Sequence, residues 1–263
     1  MKLHPAEFIT LKQFQGGFGW HNKLASEVKR KYRAKIDSID EYLARDIAVK
    51  MNGELIEERI YPTVRWTIVL NPIRKLRIVF LYDDNEEFGK NLYFFFGREA
   101  RDEIPTEDVA VFTQCYLSVI SRYKEYLLSK SGDSGKLISV YELEKQRGEA
   151  FARYYIGERK FLMKHIKSEI AEKAAREIKA EFYRDNEFFK DGETWRIKVS
   201  PLFDLCIVYA LKSSGDIDVL ISEAAANKYL TGIFMGFTWL YGTEFIRAAQ
   251  RLDPSIPKLS RYI

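Results

Sequence analysis

A chain of 263 residues with 46% hydrophobic and 14% aromatic content is long enough to bury a full core, which excludes a disordered or fibrous protein. The 42 basic and 38 acidic residues nearly balance, so a net charge of +4 does not by itself require a polyanionic partner. Two distant cysteines in apolar surroundings, Cys115 and Cys206, exclude a disulfide-stapled secreted domain and read as reduced core residues.

The three histidines are His4, His21 and His165, and none lies at metal-ligand or dyad spacing from another or from a cysteine, so no metal site is expected. The start MKLHPAEFITLKQF lacks a signal-peptide pattern, and no stretch reaches the roughly 18 uncharged apolar residues of a membrane span. A cytoplasmic protein without a membrane partner is the expectation. Scarce Asn and Gln beside plentiful Lys, Arg, Glu and Ile fit a thermophile.

Taken in chain order, the run from Asn22 to Ile36 predicts a helix, with Leu24, Val28, Tyr32 and Ile36 on one face. Ser38 and Glu41 make a capping-box pattern ahead of a second helix striped by Ile39, Leu43, Ile47 and Met51, which Asn52-Gly53 stops. The segments Glu54–Tyr61, Val64–Leu70, Lys75–Tyr82 and Lys90–Phe96 predict an antiparallel meander turning at Asn71-Pro72 and at Asp83-Asp84-Asn85. Arg65, Thr67, Lys75 and Arg77 alternate, so one sheet face is expected to be basic and the other buried.

Thr106 is the expected cap of a core helix striped by Val109, Phe112, Tyr116, Val119, Tyr123 and Tyr126, ending at Gly132-Asp133-Ser134-Gly135. A strand at Leu137–Tyr141 then leads to a helical hairpin whose second arm runs from about Glu158 to Phe182. A second β pair, Thr194–Val199 and Leu202–Leu211, flanks Pro201, and LFDLCIVYAL reads as a central strand. Ser222 caps EAAANKYL, Gly232 terminates it, and Ile233 to Leu252 closes the chain. The fold class is α+β, an antiparallel β-meander and a second β pair packed with several helices. One domain over 1–263 is expected, or two lobes meeting near 130–137.

The stretches YLLSKSGDSGKLISVYEL (126–143) and SPLFDLCIVYALKSSGDIDVLISEAAANKYL (200–230) resemble, in order and separation, segments of an uncharacterised family of prokaryotic proteins common in anaerobes, a domain of unknown function. The family's proline pair is here the single Pro201, and its Leu-Phe-Asp before the closing helix is Leu220-Ile221-Ser222. The resemblance covers the C-terminal half and implies the order of the fold, with no activity attached. Some relatives resemble companions of iron–sulfur proteins, yet two isolated cysteines do not ligate a cluster.

Among local motifs, Gln15-Gly16-Gly17-Phe18-Gly19-Trp20-His21 stands out. A glycine-rich turn entering a helix either closes a tight loop or presents backbone N–H groups to an anion, with Lys23 and Arg30 as nearby charges. The candidate ligand-binding residues are therefore Gly16, Gly17, Gly19, Trp20, His21, Lys23 and Arg30, and Gly17→Val is expected to abolish binding while sparing the fold. The basic cluster Lys29, Lys31, Arg33 and Lys35, with Lys23 and Arg30, is either a solvated helix or a nucleic-acid contact. Asp216, Asp218 and Glu223 fit turn chemistry better than metal ligation, and His165 a helix surface better than a general base.

No catalytic residue or cofactor is assigned from sequence. The expectation is a protein that binds a small molecule or a protein partner in a cleft between the meander and the C-terminal helices. The alternatives are a nucleic-acid-binding module on the basic helix and an enzyme assembled from distant residues.

Overall fold

A computed structural model describes residues 4–128, 136–150, 152–186, 189–200, 205–212 and 217–259. The fold is α+β, and the chain forms two compact units, Met1–Ser129 and Lys130–Ile263. Among the described residues no helix is long and apolar enough to cross a membrane.

The N-terminal unit runs β1 (Phe8–Ile9), α1 (Gly17–Glu27), a π turn (Val28–Tyr32), α2 (Arg33–Asp37) and α3 (Glu41–Lys50). It continues through β2 (Glu54–Leu55), β3 (Val64–Ile73), β4 (Leu76–Asn85) and β5 (Gly89–Gly97), then α4 (Ala100–Glu103), α5 (Thr106–Ser121) and α6 (Tyr123–Leu128). Its sheet is antiparallel in the order β1-β5-β4-β3-β2, the expected meander with one more strand. The added strand, β1, pairs Phe8 with Gly97 across the chain and carries no local signal.

Several boundaries differ from expectation for identifiable reasons. The expected strand Glu54–Tyr61 pairs only over Glu54–Leu55. Asn71 and Pro72 lie within β3 beside a register shift, and the turn falls at Arg74-Lys75, where Lys75 takes φ 68°. Asp40, rather than Ser38, caps α3: its carboxylate accepts from the Leu43 amide at 2.8 Å, while Ser38 Oγ donates to the Lys35 carbonyl at 2.7 Å. At the other end of α3, Asn52 at φ 55° and a Gly53 amide donating to Ala48 O at 2.8 Å close the helix as expected. Pro105 precedes α5, and Thr106 instead donates Oγ1 to Gln15 O at 2.8 Å.

The core of this unit sits between one sheet face and its helices. Trp66 Nε1 donates to Ile39 O at 3.0 Å, Tyr82 OH donates to Asp37 at 2.8 Å, and Phe14 meets Phe96 edge-on at 5.8 Å. The whole α5–α6 stripe is buried, from Val109 through Tyr126. On the opposite face Ile56, Val69 and Val79 cluster with Phe8 and Phe95. That face is not the basic surface expected, because Thr67 is buried and Arg65, Lys75 and Arg77 lie toward the strand ends.

The C-terminal unit runs β6 (Leu137–Ser139), α7 (Val140–Arg147), α8 (Ala152–Met163), α9 (Ser168–Glu177), β7 (Glu181–Asn186), β8 (Phe189–Ser200), β9 (Leu205–Lys212), β10 (Ile217–Ser222), α10 (Glu223–Lys228) and α11 (Thr231–Leu252). The expected β pair is present as β8 and β9, and three further strands extend it to β6-β10-β9-β8-β7 with β9 in the centre. The long helical arm expected over 158–182 is divided: α8 ends at Met163, α9 begins at Ser168, and Glu181 to Asn186 pair with β8 as a strand. Ser222 caps α10, accepting from Ala225 N at 3.4 Å, whereas Gly232 lies in the first turn of α11 and does not end its predecessor. The expected terminator Gly132 to Gly135 lies outside the described residues.

Candidate functional site

The glycine-rich run is the first turn of α1, not a loop preceding a helix at Asn22. Gly16 precedes it at φ 69°, a left-handed conformation that glycine adopts without steric cost. Gly17 is buried and donates its amide to Phe14 O at 3.0 Å, and a Cβ there would lie 1.7 Å from Leu11 O. Gly16 and Gly17 therefore have causes in backbone geometry alone. The expected outcome of Gly17→Val is corrected accordingly, since a side chain cannot enter without displacing Leu11. Gly19 borders open space.

Trp20 and His21 are half-buried, and Lys23 Nζ sits 4.5 Å from the Trp20 ring centre. Burial, and secondarily the charge of Lys12, lower the His21 pKa. Arg30 is not brought to the glycine turn: thirteen residues beyond Gly17, it is about 20 Å along the helix axis.

Three of the six basic residues of the cluster are paired with carboxylates. Lys31 lies 3.7 Å from Glu27, Arg33 3.2 Å from Asp37, and Lys35 is hydrogen-bonded to Glu125 of α6. Arg65 pairs with Asp84 at 3.2 Å, Lys75 with Glu103 at 2.5 Å, and Arg77 with Glu7 at 3.5 Å. Lys29 and Arg30 are exposed and have no carboxylate partner among the described residues.

A cavity of about 150 Å³ opens elsewhere in the same unit, lined by Lys35, Ser38, Ile39, Leu43, Ile120, Ser121, Tyr123, Lys124 and Glu125. It exists because two helix breaks face each other. One is the α2–α3 corner, where Ser38 and Asp40 redirect the chain; the other is Arg122, whose φ of −103° and ψ of 9° separate α5 from α6. Packed continuous helices leave few voids, and an interrupted pair leaves space at the interruption. The floor is apolar, from buried Ile39 and Ile120, half-buried Leu43 and the ring of buried Tyr123.

The polar groups around this space are held in place. Lys124 Nζ donates to Ser38 O at 2.8 Å and bridges the two breaks, as does the Lys35–Glu125 pair. The Lys35 ammonium keeps the Glu125 carboxyl below its ordinary pKa. Tyr123 OH donates to Asp46, and burial together with that bond raises the phenol pKa well above its usual value. Ser38 Oγ and Ser121 Oγ each donate to a carbonyl of their own helix, Lys35 O at 2.7 Å and Ser118 O at 3.0 Å. Neither hydroxyl meets a general base, so the lining is suited to holding a molecule and has no activated nucleophile.

Of the expected site residues only Lys35 lines this cavity, and its sequence pattern points to the nucleic-acid surface instead. Ile39, Leu43 and Tyr123 read in sequence as core stripe, which they also are. Their second role depends on two helix breaks that neither glycine nor proline marks.

The remaining titratable candidates have ordinary surroundings. Burial pushes the Cys115 thiol up to about 12, which removes it as a nucleophile. His165 is exposed and meets Phe161 edge-on at 5.3 Å. Asp218 accepts from Ser139 Oγ at 3.1 Å, and Glu223 pairs with Lys136 at 2.8 Å. Asp216 and the side chain of Cys206 lie outside the described part of the chain. No protein-family model, curated protein or solved structure matches the chain.

Proposed function

We propose that the N-terminal unit is a small-molecule-binding module and that the cavity between the α2–α3 corner and the α5–α6 break is its site. The observation that carries this reading is a space of about 150 Å³ with an apolar floor and a charged rim. In other proteins a void of that size lined by Leu, Ile and Phe takes up benzene. Here exposed Ser38, Lys124 and Glu125 place the rim at the surface, giving a ligand a route in. Pairing of Lys31, Arg33 and Lys35 with carboxylates weakens a nucleic-acid surface on the basic helix, because affinity for phosphates scales with the number of cations free to displace counterions.

The test is the melting temperature of the full chain with benzyl alcohol, an uncharged one-ring compound. Preferential binding to the folded state raises the transition as ligand exceeds its Kd, expected here on the order of millimolar for so small a molecule. Leu43→Trp, which fills the cavity from its half-buried wall, should keep the ligand-free transition and lose the rise. Absence of any rise in the parent protein at tens of millimolar ligand would contradict the reading.

A further inference from the structure

We infer that the cavity takes a small carboxylate bearing a single ring or compact branched alkyl group, its apolar body on Ile39, Leu43 and Ile120 and its carboxylate at Lys124 and Lys35. This rests on the cavity being a binding site and adds the chemical class of its ligand.

Rim charge and spare donors carry the argument. The cavity is lined by two ammonium groups, Lys35 and Lys124, and one carboxylate, Glu125, a surplus of one positive charge. Lys35 spends its charge on Glu125. Lys124 does not: it bonds the Ser38 carbonyl at 2.8 Å and pairs with no carboxylate among the described residues. An ammonium has three donors, so each lysine keeps hydrogen-bonding capacity after these contacts. Below the rim the side chains are hydrocarbon, the Ser121 hydroxyl already donating to Ser118 O, and a phenol ring whose hydroxyl is used by Asp46. A ligand polar throughout would leave its buried end unpaired, and a wholly apolar one would leave the ammonium groups as they are. A molecule with one apolar body and one anionic end matches both levels.

The helix breaks supply preorganisation. Lys124 is already fixed across the corner by its bond to Ser38, so less rotamer entropy is lost when an anion arrives than for a free surface lysine. Glu125 competes with any incoming carboxylate for Lys35.

The experiment is a titration of the full chain, with isotope-labelled Ile and Leu methyl groups, using benzoate, benzyl alcohol and benzylamine at one ionic strength. Benzoate should shift the Ile39, Leu43 and Ile120 signals and bind about tenfold tighter than benzyl alcohol, the gain expected of one charge-assisted hydrogen bond, with benzylamine weakest. Lys124→Met, at an exposed position, should remove most of the preference for benzoate over benzyl alcohol. Glu125→Gln should tighten benzoate by freeing Lys35. Benzyl alcohol binding as tightly as benzoate, or a benzoate preference that both variants leave untouched, overturns the carboxylate assignment while the cavity stands. Failure of all three compounds to move those methyl signals overturns the cavity itself.

Discussion

Two glycines two residues apart make opposite demands on their surroundings. At Gly17 an added Cβ would fall 1.7 Å from Leu11 O, backbone that cannot step aside, whereas at Gly19 it would meet nothing within 4 Å. Gly17→Ala should therefore lower the melting temperature markedly. Gly19→Ala should leave it unchanged or raise stability by up to about 0.5–1 kcal/mol, because alanine loses less chain entropy in a helix. Chemical denaturation of the two variants checks this, and equal losses at both positions would show that the turn does not pack as described. The sequence marks both residues alike. What separates them is the neighbour across the turn, Leu11, whose approach is a tertiary fact.

The same distinction between local pattern and non-local contact governs the elements. The α5–α6 stripe is legible because residues recurring every three or four positions must share a helix face, and Val109, Phe112, Tyr116, Val119, Tyr123 and Tyr126 are all buried. Phe112→Ala should cost about 3–5 kcal/mol in equilibrium unfolding, the usual range for deleting a fully buried aromatic ring. A loss below about 1 kcal/mol would place that face outside the core. The cap of α3 is a finer test. Asp40 bonds Leu43 N and Ser38 does not, so Asp40→Ala should cost about 1 kcal/mol and exceed the cost of Ser38→Ala. The α8–α9 break and the strand β7 were hidden for a physical reason. No proline or glycine marks Lys164 to Lys167, and Glu181 to Asn186 become a strand through pairing with β8, which overrides local helix propensity. The candidate cavity was hidden in the same way, since it belongs to two breaks some eighty residues apart in sequence.

For the whole molecule, buried phenols in the N-terminal unit set a pH limit. Tyr82 donates to Asp37 and Tyr123 to Asp46, and burial together with those bonds raises both pKa values, while burial chiefly raises Tyr126 to about 12. A group whose folded pKa lies above its unfolded value, here about 10, contributes stability that is complete below that pH and lost as pH rises through the folded value. Stability should fall above about pH 10, and the double variant Tyr82→Phe, Tyr123→Phe should show a shallower fall in denaturation followed between pH 8 and 11. Two compact units, each with its own five-stranded sheet, further imply that residues 1–128 expressed alone unfold cooperatively. The central claim is that the space between the α2–α3 corner and the α5–α6 break holds a ligand. A crystal structure of the full chain grown with benzoate tests it most directly. The predicted result is a ring lying on Ile39, Leu43 and Ile120 with its carboxylate at hydrogen-bond distance from Lys124 Nζ. The same space closed by side chains or holding only water, both with benzoate and in a second crystal grown with benzyl alcohol, would contradict it.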